Sequence, residues 1–273
     1  MTPTVPFAEV IGDPINHSLS PLIHGYWLEV LAIEGSYVRR RVTRADLPGY
    51  LSERRGNAAW RGSNVTMPLK LDAVALADEA TDRAVAAGAA NVLMMREGRL
   101  VAANTDVGAI VSLLGRLHKG GAPMRGVTLL GTGGAARAAL VALKTVGIPA
   151  VRIQARNMAE AAKLAVEFGL EANPAPFTAP IGGDGLINAT PLGMSDYPRI
   201  GCDLSPLPAN GWVFDMVTQP AETALVADAR GRGLAVVTGI DMLVEQAAAS
   251  FKLFFEADAP RDRDAELWQK LGR

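Results

Sequence analysis

The segment VTLLGTGGAARAAL (127–140) sets Gly131, Gly133 and Ala136 in a G-x-G-x-x-A turn between an apolar run and a helical pattern. Each small residue has a reason in nucleotide chemistry. The first permits a tight turn, the second lets backbone approach a pyrophosphate, and the third lets helix and strand pack closely. Amides at such a helix start bind phosphate oxygens. At the end of the next apolar run an acid would hold the ribose hydroxyls of NAD, but the chain has Arg156, which suits the 2′-phosphate of NADP. Glu160 follows one helical turn later, placed to repel that phosphate or to pair with the arginine, and this keeps NAD open as an alternative.

Other candidates lie earlier in the chain. Ser18 and Ser20, in NHSLSPLIH, put two hydroxyls one residue apart, an arrangement able to clamp a carboxylate. Ser20 before Pro21 also reads as an N-cap with proline at N1. Thr66 has the same double reading ahead of Met67 and Pro68. Lys70 falls in a first helical turn, where a cation opposes the macrodipole, so a structural role explains it poorly. A lysine destabilised in its charged form suits proton exchange near neutral pH. Asp106 reads as the N-cap of VGAIVSLL, which keeps it ionised. The single cysteine, Cys202, can form no internal disulfide and has no metal partners, and the three histidines make no metal set. His17 and His24 read as structural, His118 sits at a helix C-terminus, and Asp82 reads as a helix-start acid. No metal is expected.

These residues need a scaffold, and the chain alternates β-branched runs with amphipathic segments throughout. Strands are expected at FAEVIG, SYVRRRV and GSNVT, and helices at SPLIHGYWLEVLA and TRADLPGYLSER. A hairpin, NVLMMREGRLVAA, should turn at Glu97 and Gly98. A second βα series runs from VTLLG to LAVVTG, followed by the helices DMLVEQAAASFKLFFEA and DAELWQKL. The expectation is an α/β protein of two domains, residues 1–106 with 241–273, and residues 107–240. At 273 residues and 49% hydrophobic content the chain can bury two cores. A net charge of −1 with dispersed cations offers no footprint for nucleic acid or an anionic membrane, and the sequence has no membrane span. A cytoplasmic location is expected, and the composition suits a monomer or a homodimer.

The ordered set NHSLSPLIH, GSNVTMPLK, GAANVL, NTDVGA, GTGGAARAAL, LINATPLGM, DMVTQP and GIDMLVEQA resembles the shikimate dehydrogenase family over nearly the whole chain. The resemblance implies a substrate domain, then a Rossmann-type dinucleotide-binding domain, with the C-terminal helices returning to the first domain across a cleft. It implies reversible reduction of 3-dehydroshikimate to shikimate with NADPH, in the route to aromatic amino acids. By the same resemblance Lys70 and Asp106 form the catalytic pair, Ser18 and Ser20 hold the substrate carboxylate, and Thr66, Asn91 and Gln246 hold ring hydroxyls or the carboxylate. On the cofactor side it assigns Gly131, Thr132, Gly133, Gly134, Ala135, Arg156, Met216 and Gly239. The chain departs from the family pattern at Thr218, where a tyrosine is common, at Asp241 in place of a glycine, and at Glu160 in place of a second arginine. Those departures leave a quinate/shikimate dehydrogenase paralogue, using NAD or acting on a related cyclic hydroxy acid, as an alternative. A non-catalytic nicotinamide-binding redox sensor is the alternative from another class.

Overall fold

The structure, a computed structural model, describes residues 5–169 and 174–272. Its internal contacts divide the chain into two compact units. One runs up to Thr105 and resumes at Val244, and the other is Asp106–Leu243.

The first unit contains β1 (Phe7–Gly12), α1 (Ser20–Val30), β2 (Ser36–Arg41), α2 (Leu47–Arg55), β3 (Trp60–Val65), α3 (Lys70–Leu76), β4 (Glu79–Ala80), α4 (Asp82–Ala87), β5 (Val92–Arg96) and β6 (Arg99–Ala103). Among the described residues its sheet runs β2-β1-β3-β5-β6-β4, with β1 parallel to both neighbours and β5 antiparallel to β3 and β6. A strand buried on both faces reads as a continuous apolar run, and β1 does so except at Glu9. That carboxylate is buried because Arg54 of α2 pairs with it and Tyr50 donates to it at 2.8 Å. The hairpin turns as expected. Arg96 pairs with Arg99, and Glu97 and Gly98 take φ of 52° and 77°, the positive pair that a two-residue type I′ turn requires.

The second unit contains α5 (Asp106–Lys119), β7 (Gly126–Leu130), α6 (Gly134–Thr145), β8 (Ala150–Ala155), α7 (Met158–Phe168), β9 (Ala175–Pro176), β10 (Gly185–Asn188), β11 (Trp212–Asp215), α8 (Ala224–Gly231) and β12 (Ala235–Val237). Its parallel sheet runs β9-β8-β7-β10-β11-β12, so chain order reverses between β7 and β10. That is the doubly wound arrangement in which ligands bind beyond the carboxyl ends of the strands at the reversal. Helix α9 (Gly239–Phe255) begins in this unit and continues into the first, where α10 (Asp264–Lys270) follows. Among the described residues no helix is long and apolar enough to cross a membrane.

Several helix starts differ from expectation. Ser20 is the first residue of α1 rather than its N-cap; Leu19 holds the cap position and no side chain caps the helix. Thr66 does not cap α3, whose cap position is Leu69; instead the Thr66 carbonyl accepts from Leu69 N in a turn around the cis Met67–Pro68 bond. Asp106 lies inside α5 at its first position. Helix α2 starts four residues later than expected, because Thr43 and Asp46 bond each other's side chain and backbone and spend that stretch as a turn.

Candidate active site

In the first unit a chain of buried polar side chains gathers at the ends of β3, β5 and β6. Asn91, just before β5, accepts from Thr105 N at 2.7 Å and donates to Thr105 Oγ1 at 2.8 Å and to Gln246 Oε1 of α9 at 3.2 Å. Asn64 of β3 donates to the Asn91 carbonyl at 3.2 Å and accepts from the Tyr37 hydroxyl at 2.6 Å. All are buried, and a buried polar network persists only when its members satisfy one another. Burial also holds the Tyr37 hydroxyl well above the ordinary tyrosine range, so it remains a donor. Of the residues singled out in the sequence, this network joins Asn91 and Gln246. It adds Tyr37, Asn64 and Thr105, which were missed. The available signal was an asparagine among the small and apolar residues Gly62, Ser63 and Val65 that end β3, since a buried polar side chain there must find a partner.

The serine loop precedes α1. Ser18 is half-buried, and its Oγ accepts a long hydrogen bond of 3.4 Å from the buried Ser20's backbone N–H, so it has a local structural partner that sequence reading did not give it. Thr66 is half-buried beyond the end of β3, where its backbone N–H donates to Ile11. Lys70 is half-buried at the first position of α3, and its carbonyl accepts from Ala90 N, immediately before Asn91. Asp106 is buried directly after Thr105 in the chain.

In the second unit the glycine-rich turn joins β7 to α6. Gly131 has φ of +107°, and a Cβ there would stand 3.0 Å from the Ala189 carbonyl, so both conformation and space call for glycine. A Cβ on Gly133 would meet nothing within 4 Å, and the residue is exposed. Ala136 is fully buried beneath the turn. Thr132, Gly134 and Ala135 lie around it, all three half-buried. The cradle therefore fits a dinucleotide pyrophosphate on this chain's own geometry. Arg156 and Glu160 are both exposed after β8 and form no ion pair with each other, because Asn157 rather than Arg156 takes up the helix start, accepting from Ala159 N and Glu160 N.

At the carboxyl ends of β10 and β11 the buried Asp215 carboxylate accepts from Asn188 Nδ2, Val217 N and Thr223 Oγ1, while burial pushes its pKa upward. These bonds hold the loop carrying half-buried Met216 and Thr218. Gly239 packs beneath that loop, and a Cβ there would collide with the Val217 carbonyl. Among the described residues no group of three histidine, cysteine or carboxylate side chains stands ready for a metal ion. Burial pushes the Cys202 thiol up to about 11, aided by Asp203, so it stays protonated at neutral pH and is a poor nucleophile.

Residues 10–93 match the shikimate dehydrogenase substrate binding domain, and residues 239–266 match the shikimate 5′-dehydrogenase C-terminal domain. The chain is 44% identical to shikimate dehydrogenase (NADP(+)) of Sphingopyxis alaskensis, across 96% of this chain and 95% of that protein. The chain belongs to the shikimate dehydrogenase family. A solved shikimate 5-dehydrogenase from Thermus thermophilus, in complex with NADP(H) and shikimate, is 36% identical with a TM-score of 0.84, covering 97% of this chain and 99% of that one. A quinate dehydrogenase from Corynebacterium glutamicum, in complex with NAD, is 27% identical with the same TM-score, covering 97% and 99%. Within the shikimate dehydrogenase family the chain's departure at Asp241 has a local explanation. Asp241 Oδ2 accepts from Thr238 N and Oγ1, and Thr238 Oγ1 accepts from Asp241 N, a reciprocal cap on α9.

Proposed function

We propose that this chain catalyses the reversible, NADP-dependent reduction of 3-dehydroshikimate to shikimate, an oxidoreductase step toward aromatic amino acids. The observation that carries the reading is the 44% identity to a shikimate dehydrogenase (NADP(+)) along 96% of the chain. Residues 1–106 with 241–273, which include the serine loop, form the substrate-binding domain, and residues 107–240 form the domain that binds the dinucleotide.

Residues Gly131–Ala135 cradle the pyrophosphate, Arg156 meets the 2′-phosphate, and Met216 and Gly239 border the nicotinamide. Bound there, NADPH supplies the hydride that reduces the ring carbonyl at C3. Ser18 and Ser20 hold the substrate carboxylate through their hydroxyls. Thr66, Asn91 and Gln246 fix the ring through its oxygens, with Tyr37, Asn64 and Thr105 keeping Asn91 in place. Lys70 Nζ delivers a proton to the C3 oxygen as negative charge grows there, and removes it in the reverse direction. Asp106 orients the lysine and the substrate hydroxyl.

Absorbance at 340 nm on mixing shikimate with NADP tests the reading directly. Turnover should appear with wild type, and Lys70→Ala should lower kcat/KM by about 10²–10⁴-fold. A Lys70→Ala enzyme of near wild-type efficiency overturns the assignment of the proton donor. The quinate dehydrogenase neighbour, together with Glu160 beside Arg156, favours a second reading in which the chain oxidises quinate with NAD. The same assay with quinate and NAD separates the two. The absence of turnover with every pairing would point to a sensor.

A further inference from the structure

Edge strand β2 carries three consecutive arginines, Arg39, Arg40 and Arg41. Side chains alternate along a strand, so Arg39 and Arg41 share one face and Arg40 takes the other. Arg40 approaches Glu53 at 3.7 Å. The other two reach the loop between β1 and α1. Register places Arg39 opposite Val10 and Arg41 opposite Gly12, next to the point where the chain leaves the sheet to form the serine loop. Arg41 grips the beginning of that loop with a two-pronged bond to Asp13, at 2.8 and 3.1 Å. Arg39 grips its far end, donating from Nε to the Ser18 carbonyl at 2.7 Å.

The two grips differ in charge. Asp13 neutralises Arg41, whereas the carbonyl that Arg39 meets carries no net charge, and among the described residues Arg39 makes no ion pair. An uncompensated guanidinium is therefore anchored within one residue's dimensions of the Ser18 hydroxyl. Charges so placed lie inside the screening length of about 8–10 Å at moderate ionic strength. Charge of the opposite sign at a binding loop raises the encounter rate of an ionic ligand, and salt weakens the effect.

We infer that Arg39 is a positioning and specificity-determining residue, which braces the serine loop through the Ser18 carbonyl and supplies the positive charge that attracts a carboxylate-bearing substrate to the Ser18 and Ser20 hydroxyls. The inference rests on the proposed role of the serine loop. It concerns a side chain outside the catalytic pair and predicts a preference for anionic over neutral ring substrates.

The test compares Arg39→Gln, Arg39→Lys and Ser18→Ala with wild type in shikimate oxidation, at low salt and at 0.5 M NaCl, with thermal melts to confirm folding. Arg39→Gln should raise KM for shikimate about fivefold at low salt, leave kcat and KM for NADP within twofold, and flatten the salt dependence of kcat/KM. Arg39→Lys should keep that salt dependence. A folded Arg39→Gln enzyme with wild-type KM and salt dependence overturns the inference, as does Arg39→Lys losing the dependence to the same extent as Arg39→Gln. Ser18→Ala reports separately on the serine loop. If it leaves KM unchanged, the carboxylate clamp fails, whatever Arg39 does.

Discussion

Asn91 donates from Nδ2 to Gln246 Oε1 at 3.2 Å, joining two residues 155 positions apart. The same asparagine's Oδ1 accepts the Thr105 backbone N–H at 2.7 Å, immediately before Asp106. One side chain therefore organises segments from three parts of the sequence, and its amide has little freedom left.

Truncation of Asn91 tests this. Asn91→Ala removes the acceptor of the buried Thr105 N–H and a donor to Gln246 Oε1, and an unsatisfied buried polar group costs about 1–3 kcal/mol. Urea denaturation should show a loss of about 2–3 kcal/mol. Equal stability of Asn91→Ala and wild type would mean that the network contributes no net stabilisation.

The two fingerprint glycines should separate folding from binding. Gly131→Ala forces a Cβ onto a φ of +107° and toward the Ala189 carbonyl, and should destabilise the protein by about 1–3 kcal/mol in a thermal or chemical melt. At Gly133 the backbone is extended, with φ of −77° and ψ of −174°, and a Cβ enters open space. Gly133→Ala should change stability by less than about 0.5 kcal/mol. Its NADP affinity, measured by fluorescence titration, should nevertheless fall about tenfold, because the methyl group occupies the approach of the pyrophosphate.

Replacement of Glu160 addresses cofactor choice. Arg156 and Glu160 are exposed and unpaired with each other, so a 2′-phosphate there would meet one favourable and one unfavourable charge. Glu160→Arg should raise the ratio of kcat/KM with NADP to that with NAD about tenfold, since charge-assisted contacts to phosphate are among the stronger hydrogen bonds. An unchanged ratio would leave Glu160 as a surface residue without influence on the cofactor.

Acid stability should carry a signature of His24. It stacks on Tyr37 at a centroid distance of 4.0 Å, is fully buried, and neither ring nitrogen meets a protein hydrogen-bond partner. Burial lowers its pKa to about 3 from 6.5. The unfolded chain takes up a proton below about pH 6.5 while the folded chain resists it, so stability falls as pH drops from about 6.5 toward 3. The full effect is on the order of 4–5 kcal/mol. Unfolding free energies measured between about pH 7 and pH 4 should decline less steeply in His24→Phe, which keeps a ring in the stack.

Features governed by near neighbours were legible in the sequence. The Glu97–Gly98 turn, the Gly131–Ala136 fingerprint and the first-turn position of Lys70 depend on residues a few places apart, so composition and spacing identify them. The ordered motifs carried the family for the same reason, because each is a short contiguous string. Cap assignments at Ser20 and Thr66 failed, although local, because the helices begin one residue earlier and three residues later than those caps required. Tertiary structure alone decided that Asn64 and Tyr37 support Asn91, that Asp215 holds the loop bearing Met216, and that Arg39 and Arg41 clasp the serine loop. Those relationships depend on which strands become neighbours and in what register, and a one-residue slip would turn every side chain of β2 to the opposite face. Periodicity in the sequence specifies the pleat, and only the assembled sheet specifies the partner.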